Sequence, residues 1–296
     1  MCISSCRSLH HPSAGRLSLT GKPGRLKSGT LRFASFIVQH YWLKFYRYAH
    51  VVRYQAYAGL RNEIARTYIG VMWWLLEPTL NALTLYVVFG MLLNSKRADF
   101  LPFLLVGTFS WQWFAGSVVA AAGSIVARAG LMQQVYLPKV IFPVVSVLNN
   151  TWKFLFAFAV LIVVVSVAHA PPTWAYLALP IVIGVQFLLN LAIGVPLAAW
   201  IPYFRDGTTV ISAVLMLLSF ISGVFFSVDQ VPAEYQWAMQ LNPMAILMTS
   251  YREIMLNGAW PQWPPLLAVA TGSMLALVAG FVLLDRLDLS LPKVSA

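Results

Sequence analysis

Acidic residues are scarce in this chain. Its 296 residues include nine Asp and Glu against twenty Lys and Arg, and no acid occurs before Glu63. Charged residues of either sign make up 10% of the sequence and hydrophobic residues 59%. Soluble domains carry about 25% charged residues, so a soluble globular class is excluded. Runs long enough to cross about 30 Å of hydrocarbon as helix recur along the chain. Cysteine is almost missing too. Cys2 and Cys6 both sit in a polar N-terminal arm, where a cytoplasmic location would keep them reduced. They have no His or Cys companions at metal-binding spacing. A nucleotide site is also lacking. "GRLSLTGKP" (Gly15 to Pro23) imitates a P-loop, but its glycine gap is five residues instead of four and Pro23 replaces the hydroxyl residue. ATP binding by this chain is not expected.

The formal charge of +11 would suggest nucleic acid in a soluble protein. Its distribution points to an anionic membrane surface instead, because eleven of the twenty basic residues fall in the first 66 positions. Residues 1–40 are expected to be a disordered basic arm, with a transmembrane domain over 41–290. The first 35 residues have no apolar period and no secretory core. A transit peptide or a misassigned start are the other readings of that arm.

Residues 44–61 form an amphipathic pattern. Phe45, Tyr48, Ala49, Val52, Ala56 and Leu60 share one helical face, and Lys44, Arg47, Arg53 and Arg61 lie opposite. Together with Arg66 they suit a helix in the cytoplasmic interface, and a helix packed on protein is the alternative. Six spans follow, near residues 71–93, 100–126, 141–169, 176–201, 208–228 and 265–284. With both termini inside, sixteen basic residues lie on the inner side and three on the outer, which satisfies the positive-inside rule. The fold class is therefore an all-α polytopic membrane protein, with an N-terminal interface helix and two short re-entrant helices in residues 231–258. Pro232 and Pro243 suit the starts of those two helices and Gly258 an end.

Between the second and third spans, "RAGLMQQVYLPKVIFP" interrupts the apolar pattern. Leu131, Met132, Val135 and Tyr136 share a face of a short helix, Gln133 and Gln134 point elsewhere, and Pro138 stops it. Arg128 and Lys139 bound the segment. An apolar face at such a place suits an anchor in a partner's groove.

Three stretches, "RNEIARTYIGVMWWLLEP", "GLMQQVYLPKVIFP" and "NPMAILMTSYREIM", carry a resemblance. The chain from about Arg53 to Leu287 resembles the membrane subunit of ABC-2-type exporters that move O-antigen, capsular polysaccharide or teichoic acid. That resemblance implies a homodimeric pore in the bacterial inner membrane, both termini cytoplasmic. Two copies of a separate ATPase, which binds the ATP and magnesium, drive a lipid-linked polysaccharide to the periplasm. It makes Arg128 to Pro138 the coupling helix. It makes the two short outer helices a periplasmic gate, with Pro232, Glu234, Tyr235, Asn242, Pro243, Tyr251, Arg252 and Glu253 as its residues. It lines the channel with the first and fifth spans, so Tyr86, Phe89, Phe220, Phe225 and Phe226 are pore candidates. No cofactor is expected in this chain.

Lys153 falls within the third span. A mid-span cation costs about 2.5–3.5 kcal/mol on insertion scales. Either it faces an aqueous path, or the span starts later and the amine snorkels inward. The alternative function is a membrane-embedded glycan-modifying enzyme at the outer face, with Asp229, Glu234 and Glu253 as its carboxylates. A secondary transporter would show internal repeats, and none is seen.

Overall fold

The computed structural model describes residues 50–65, 70–92, 99–134, 137–168, 171–204, 206–227 and 231–287. The chain divides into two units after Lys44, and every described residue belongs to the second. The basic arm expected over 1–40, together with Lys44, Arg47, Arg66, Val135, Tyr136 and Asp229, lies outside the described residues. So do the side chains of Leu131, Gln133 and Gln134.

Among the described residues there are helices and no strand. Residues 50–65 form α1. A 3₁₀ turn leads into α2 (Trp73–Leu85), which continues as a π-helix over Tyr86–Leu92. Then come α3 (Phe100–Ala122), α4 (Ala129–Gln134), α5 (Ile141–Ala168), α6 (Leu179–Trp200), α7 (Gly207–Ile221), α8 (Gln236–Leu241), α9 (Pro243–Met255) and α10 (Trp263–Leu287). Among the described residues, five stretches are long and apolar enough to cross a membrane: Gly70–Met91, Phe100–Ala122, Ile141–Val167, Trp174–Tyr203 and Trp263–Arg286.

Proline placement explains several of the helix starts. Pro102, Pro143, Pro180, Pro243, Pro264 and Pro265 all stand within the first three residues of their helices. A first-turn N–H has no helical partner, so a residue without one loses nothing there. Pro196 is different, because it lies inside α6. α10 crosses it with Gly280, where a Cβ would sit 2.8 Å from the proline ring. Small residues at such crossings let membrane helices approach closely. Gly194 does the same for α6 against Ala121 of α3.

Two apolar clusters mark the two ends of the bundle. One joins Val52 and Ala56 of α1 to Ala121, to Ile141 through Val147, to Ala198 and to Leu284. The end of α3, the start of α5 and the ends of α6 and α10 therefore meet at one end, beside α1. The larger cluster is centred on α3 and takes in α9 and the link before α6. There Tyr176 donates to the Met255 carbonyl at 3.3 Å, and Thr173 donates to that of Gly258 at 3.3 Å. Gly258 has φ +63°, a backbone that suits glycine.

The stretch expected as a fifth span departs from expectation. α7 has 15 residues, which reach about 22 Å, and the chain then turns at Ser222. Gly223 holds φ +76°. The paired short helices also differ from each other. α8 buries one residue, Met239. α9 buries nine of thirteen and packs against α3, α6 and α10. Met244 N–H donates to the Asn242 side chain at 3.0 Å, capping α9.

Candidate functional site

A cavity of about 590 Å³ opens between α2, α3, α5 and α7. Aromatic residues line much of it: Trp73 and Trp74 from α2, Phe109, Trp111 and Trp113 from α3, Phe154 from α5, and Phe225 beyond α7. Trp113 stacks on Phe154 with centroids 4.1 Å apart and planes 10° apart, and Phe154 stacks on Phe158 at 4.8 Å. Trp74 meets Phe156 edge-on at 6.2 Å. Amide and carboxylate groups punctuate this wall, among them Glu77, Asn81, Gln112 and Asn150. Flat apolar faces with a few fixed polar groups suit a solute that is itself amphipathic.

α3 and α5 are held together along this wall by polar contacts. Trp113 Nε1 donates to the Thr151 hydroxyl at 3.3 Å, and Asn150 donates to the Gly116 carbonyl at 3.3 Å. Deeper in the bundle, the fully buried Gln186 donates to the Ser110 carbonyl at 2.8 Å.

Lys153 lines the cavity, and its ammonium lies 2.6 Å from a Glu63 carboxylate oxygen. It is the thirteenth residue of α5. Four residues earlier on both helices, a Cβ on Gly59 would meet the Asn149 amide at 2.5 Å. α1 and α5 therefore run in the same direction through this contact. The apolar face expected on α1 packs on protein here, with Val52 and Ala56 buried and Arg53 and Arg61 exposed.

Of the other pore candidates, Phe225 lines the cavity. Phe89 stacks on it at 5.9 Å and Phe220 leans on it at 5.1 Å. Tyr86 sits against Phe100 at 6.4 Å, and Phe226 is half-buried. Neither of these two reaches the cavity wall.

In the segment between α3 and α5, Arg128 donates to the Phe142 carbonyl and to the Ser146 hydroxyl, each at 3.3 Å. Its guanidinium also lies over the Phe142 ring. Burial lowers its pKa from the ordinary arginine value. α4 ends at Gln134, and Leu137 and Pro138 are not helical. Met132 is half-buried against the chain's own second cluster. Part of the expected docking face thus rests on this chain, and Lys139 is buried with its own partners.

At the far end, Arg252 is buried. It donates to the carbonyls of Gly223 at 2.7 Å, Val224 at 2.8 Å and Phe103 at 3.4 Å. The guanidinium is an interior clamp on that turn. Asn242 donates to the Ser222 hydroxyl at 2.9 Å, gripping the same turn. Tyr251 is fully buried, whereas Pro232, Glu234 and Tyr235 are exposed and Pro243 is half-buried. Burial raises the pKa of Glu253, and hydrogen bonding to Gln262 lowers it in part. Glu234 is exposed and Glu253 half-buried. Among the described residues no group of three or more His, Cys, Asp or Glu is placed to hold a metal.

Sequence reasoning missed Glu63, Glu77, Phe103 and Gln186. Only Glu63 carried a signal, as the first acid after a long basic stretch.

A multi-pass helix bundle with an aromatic cavity among its spans defines a membrane-embedded transport subunit. The chain belongs to the ABC-2 type transporter family, which matches residues 54–256. Members of this family are transport subunits and not enzymes, and they work with ATPase partners that bind the ATP. The chain is 30% identical over 222 residues to the O-antigen export system permease protein RfbA of Myxococcus xanthus, covering 74% of this chain and 85% of that one. It is 26% identical over 229 residues to the protein of the same name from Klebsiella pneumoniae (77% and 88%). It is 23% identical over 227 residues to the polysialic acid transport protein KpsM of Escherichia coli (76% and 88%).

Proposed function

We propose that this chain exports a lipid-linked polysaccharide of the O-antigen type from cytoplasm to periplasm, as the membrane subunit beside a separate ATPase. The observation that carries this is the match to permeases named for O-antigen export, which spans 85% or more of their length. The aromatic cavity supports it, since flat faces stack on sugar rings without demanding one particular sugar. Two copies of the chain and two ATPase subunits form the assembly in the bacterial inner membrane, with both termini cytoplasmic. Residues 1–40 are a basic arm ahead of a transmembrane domain over 41–290. Arg128 to Pro138 dock on the ATPase. The α8–α9 pair gates the periplasmic end. Shared placement of α1 and the end of α10 at one end of the bundle supports termini on one side. Deleting the gene should remove the surface polysaccharide and leave its lipid-linked form inside the cell. Undiminished surface polysaccharide in the deletion strain would overturn the reading.

A further inference from the structure

The Glu63–Lys153 pair stands at the cavity wall, and neither partner is sealed in. The lysine side chain is 23% accessible and that of the glutamate 44%. A pair kept only to hold α1 on α5 has no need to face a cavity, and the Gly59–Asn149 contact one turn earlier already joins those helices. Among the described residues, Lys153 is the one cation that lines the cavity. The same cavity wall carries the Gln112 amide and the rings of Trp113 and Phe154. A cation, amide donors and aromatic faces are the complement of a phosphate or diphosphate ester attached to a sugar or an isoprenoid.

We infer that Lys153 is the binding contact for the phosphate or diphosphate group of the transported molecule, and that Glu63 is an exchangeable counter-ion occupying it in the empty state. This rests on the export reading above and names the substrate group it would recognise. Exchange answers an electrostatic requirement. An ammonium on a largely apolar wall is partly desolvated, so a nearby anion stabilises it. Glu63, at the more accessible end of the pair, can return to water when a substrate anion arrives. Glu77 also lines the cavity, so among the described lining residues two acids face one lysine while Glu63 is in place. Anion binding therefore has to be coupled to departure of the Glu63 carboxylate, and the resident chain would hold free anions weakly.

The test is isothermal titration of the full chain in phosphatidylcholine nanodiscs, with farnesyl diphosphate and inorganic diphosphate as separate probes and with phosphatidylglycerol nanodiscs as a third arm. Glu63→Gln should tighten farnesyl diphosphate binding about tenfold by removing the competitor, and Lys153→Gln should weaken it by a similar factor. Lys153→Arg should retain it. The double variant Glu63→Gln with Lys153→Gln loses both charges together, so it should melt like the parent and bind no diphosphate. The same ranking with inorganic diphosphate assigns the site to the diphosphate itself. A ranking that vanishes in phosphatidylglycerol assigns it to phospholipid headgroups and overturns the substrate role. Equal binding by parent and Lys153→Gln, or no gain in Glu63→Gln, overturns the inference. Those results leave the export reading standing, since that depends on surface polysaccharide in the deletion strain.

Discussion

The guanidinium carbon of Arg252 lies 3.4 Å from the centroid of the Phe103 ring. The two residues come from α9 and α3, and the same arginine holds the carbonyls of Gly223 and Val224. One side chain thus joins α9, α3 and the turn after α7. Arg252→Ala should destabilise the protein by about 2–4 kcal/mol, since it strands buried carbonyls that had a charged donor. Arg252→Lys should recover little, because an ammonium cannot reproduce the planar fork. Thermal unfolding in detergent, with surface polysaccharide as a second readout, checks both.

Gly107 should be coupled to that clamp. A Cβ there would press on the arginine and lie 3.0 Å from the Val224 carbonyl. Gly107→Ala is expected to cost about 1–3 kcal/mol through overpacking. In the double variant with Arg252→Ala the losses should fall short of the sum, because each change removes the same contact. Full additivity in a double-mutant cycle would show the two sites to be independent.

Position within the α8–α9 pair should decide chemical access. Gln240 is exposed while Ser250 is 3% exposed. In whole cells with a permeable outer layer, a cysteine at Gln240 should react with an impermeant thiol reagent and one at Ser250 should stay unreacted. Reaction at Gln240 only from the cytoplasmic side would reverse the proposed orientation.

The short helix α4 supplies a test of docking. Met132→Asp combined with Val135→Asp should leave membrane insertion intact and abolish co-purification of the ATPase. Met132 contacts its own chain in part, so the single change at Met132 should also lower the melting temperature slightly. Unaltered co-purification in the double variant would refute the docking role.

Four of the six expected spans were legible because charges and prolines punctuate them, as at Pro143 and Pro264. The first was legible in extent, but not in its passage from α-helix to π-helix at Tyr86, which no residue pattern announces. The stretch near 208–228 was read too long. Apolar composition does not distinguish a spanning helix from a shorter one that turns and is pinned by a distant arginine. The same blindness hid the partner of Lys153. Glu63 is ninety residues away in sequence, and only the parallel packing of α1 on α5 brings the two together. Phe225 was expected on the channel through the family resemblance, and in the structure it lines the cavity. The tryptophans of the cavity wall were not, because a pair such as Trp73 and Trp74 beside a span reads equally well as an interfacial belt.

The brevity of α7 has a consequence for the surrounding lipid. Its outward side carries Val210, Val214, Leu217 and Ile221, all exposed, on a rod about 22 Å long. Where that side meets acyl chains, a hydrocarbon layer of about 30 Å has to thin by several ångströms, at a fraction of a kcal/mol for each. A molecule anchored by an isoprenoid tail and arriving beside α7 would find its headgroup already drawn toward the bilayer centre.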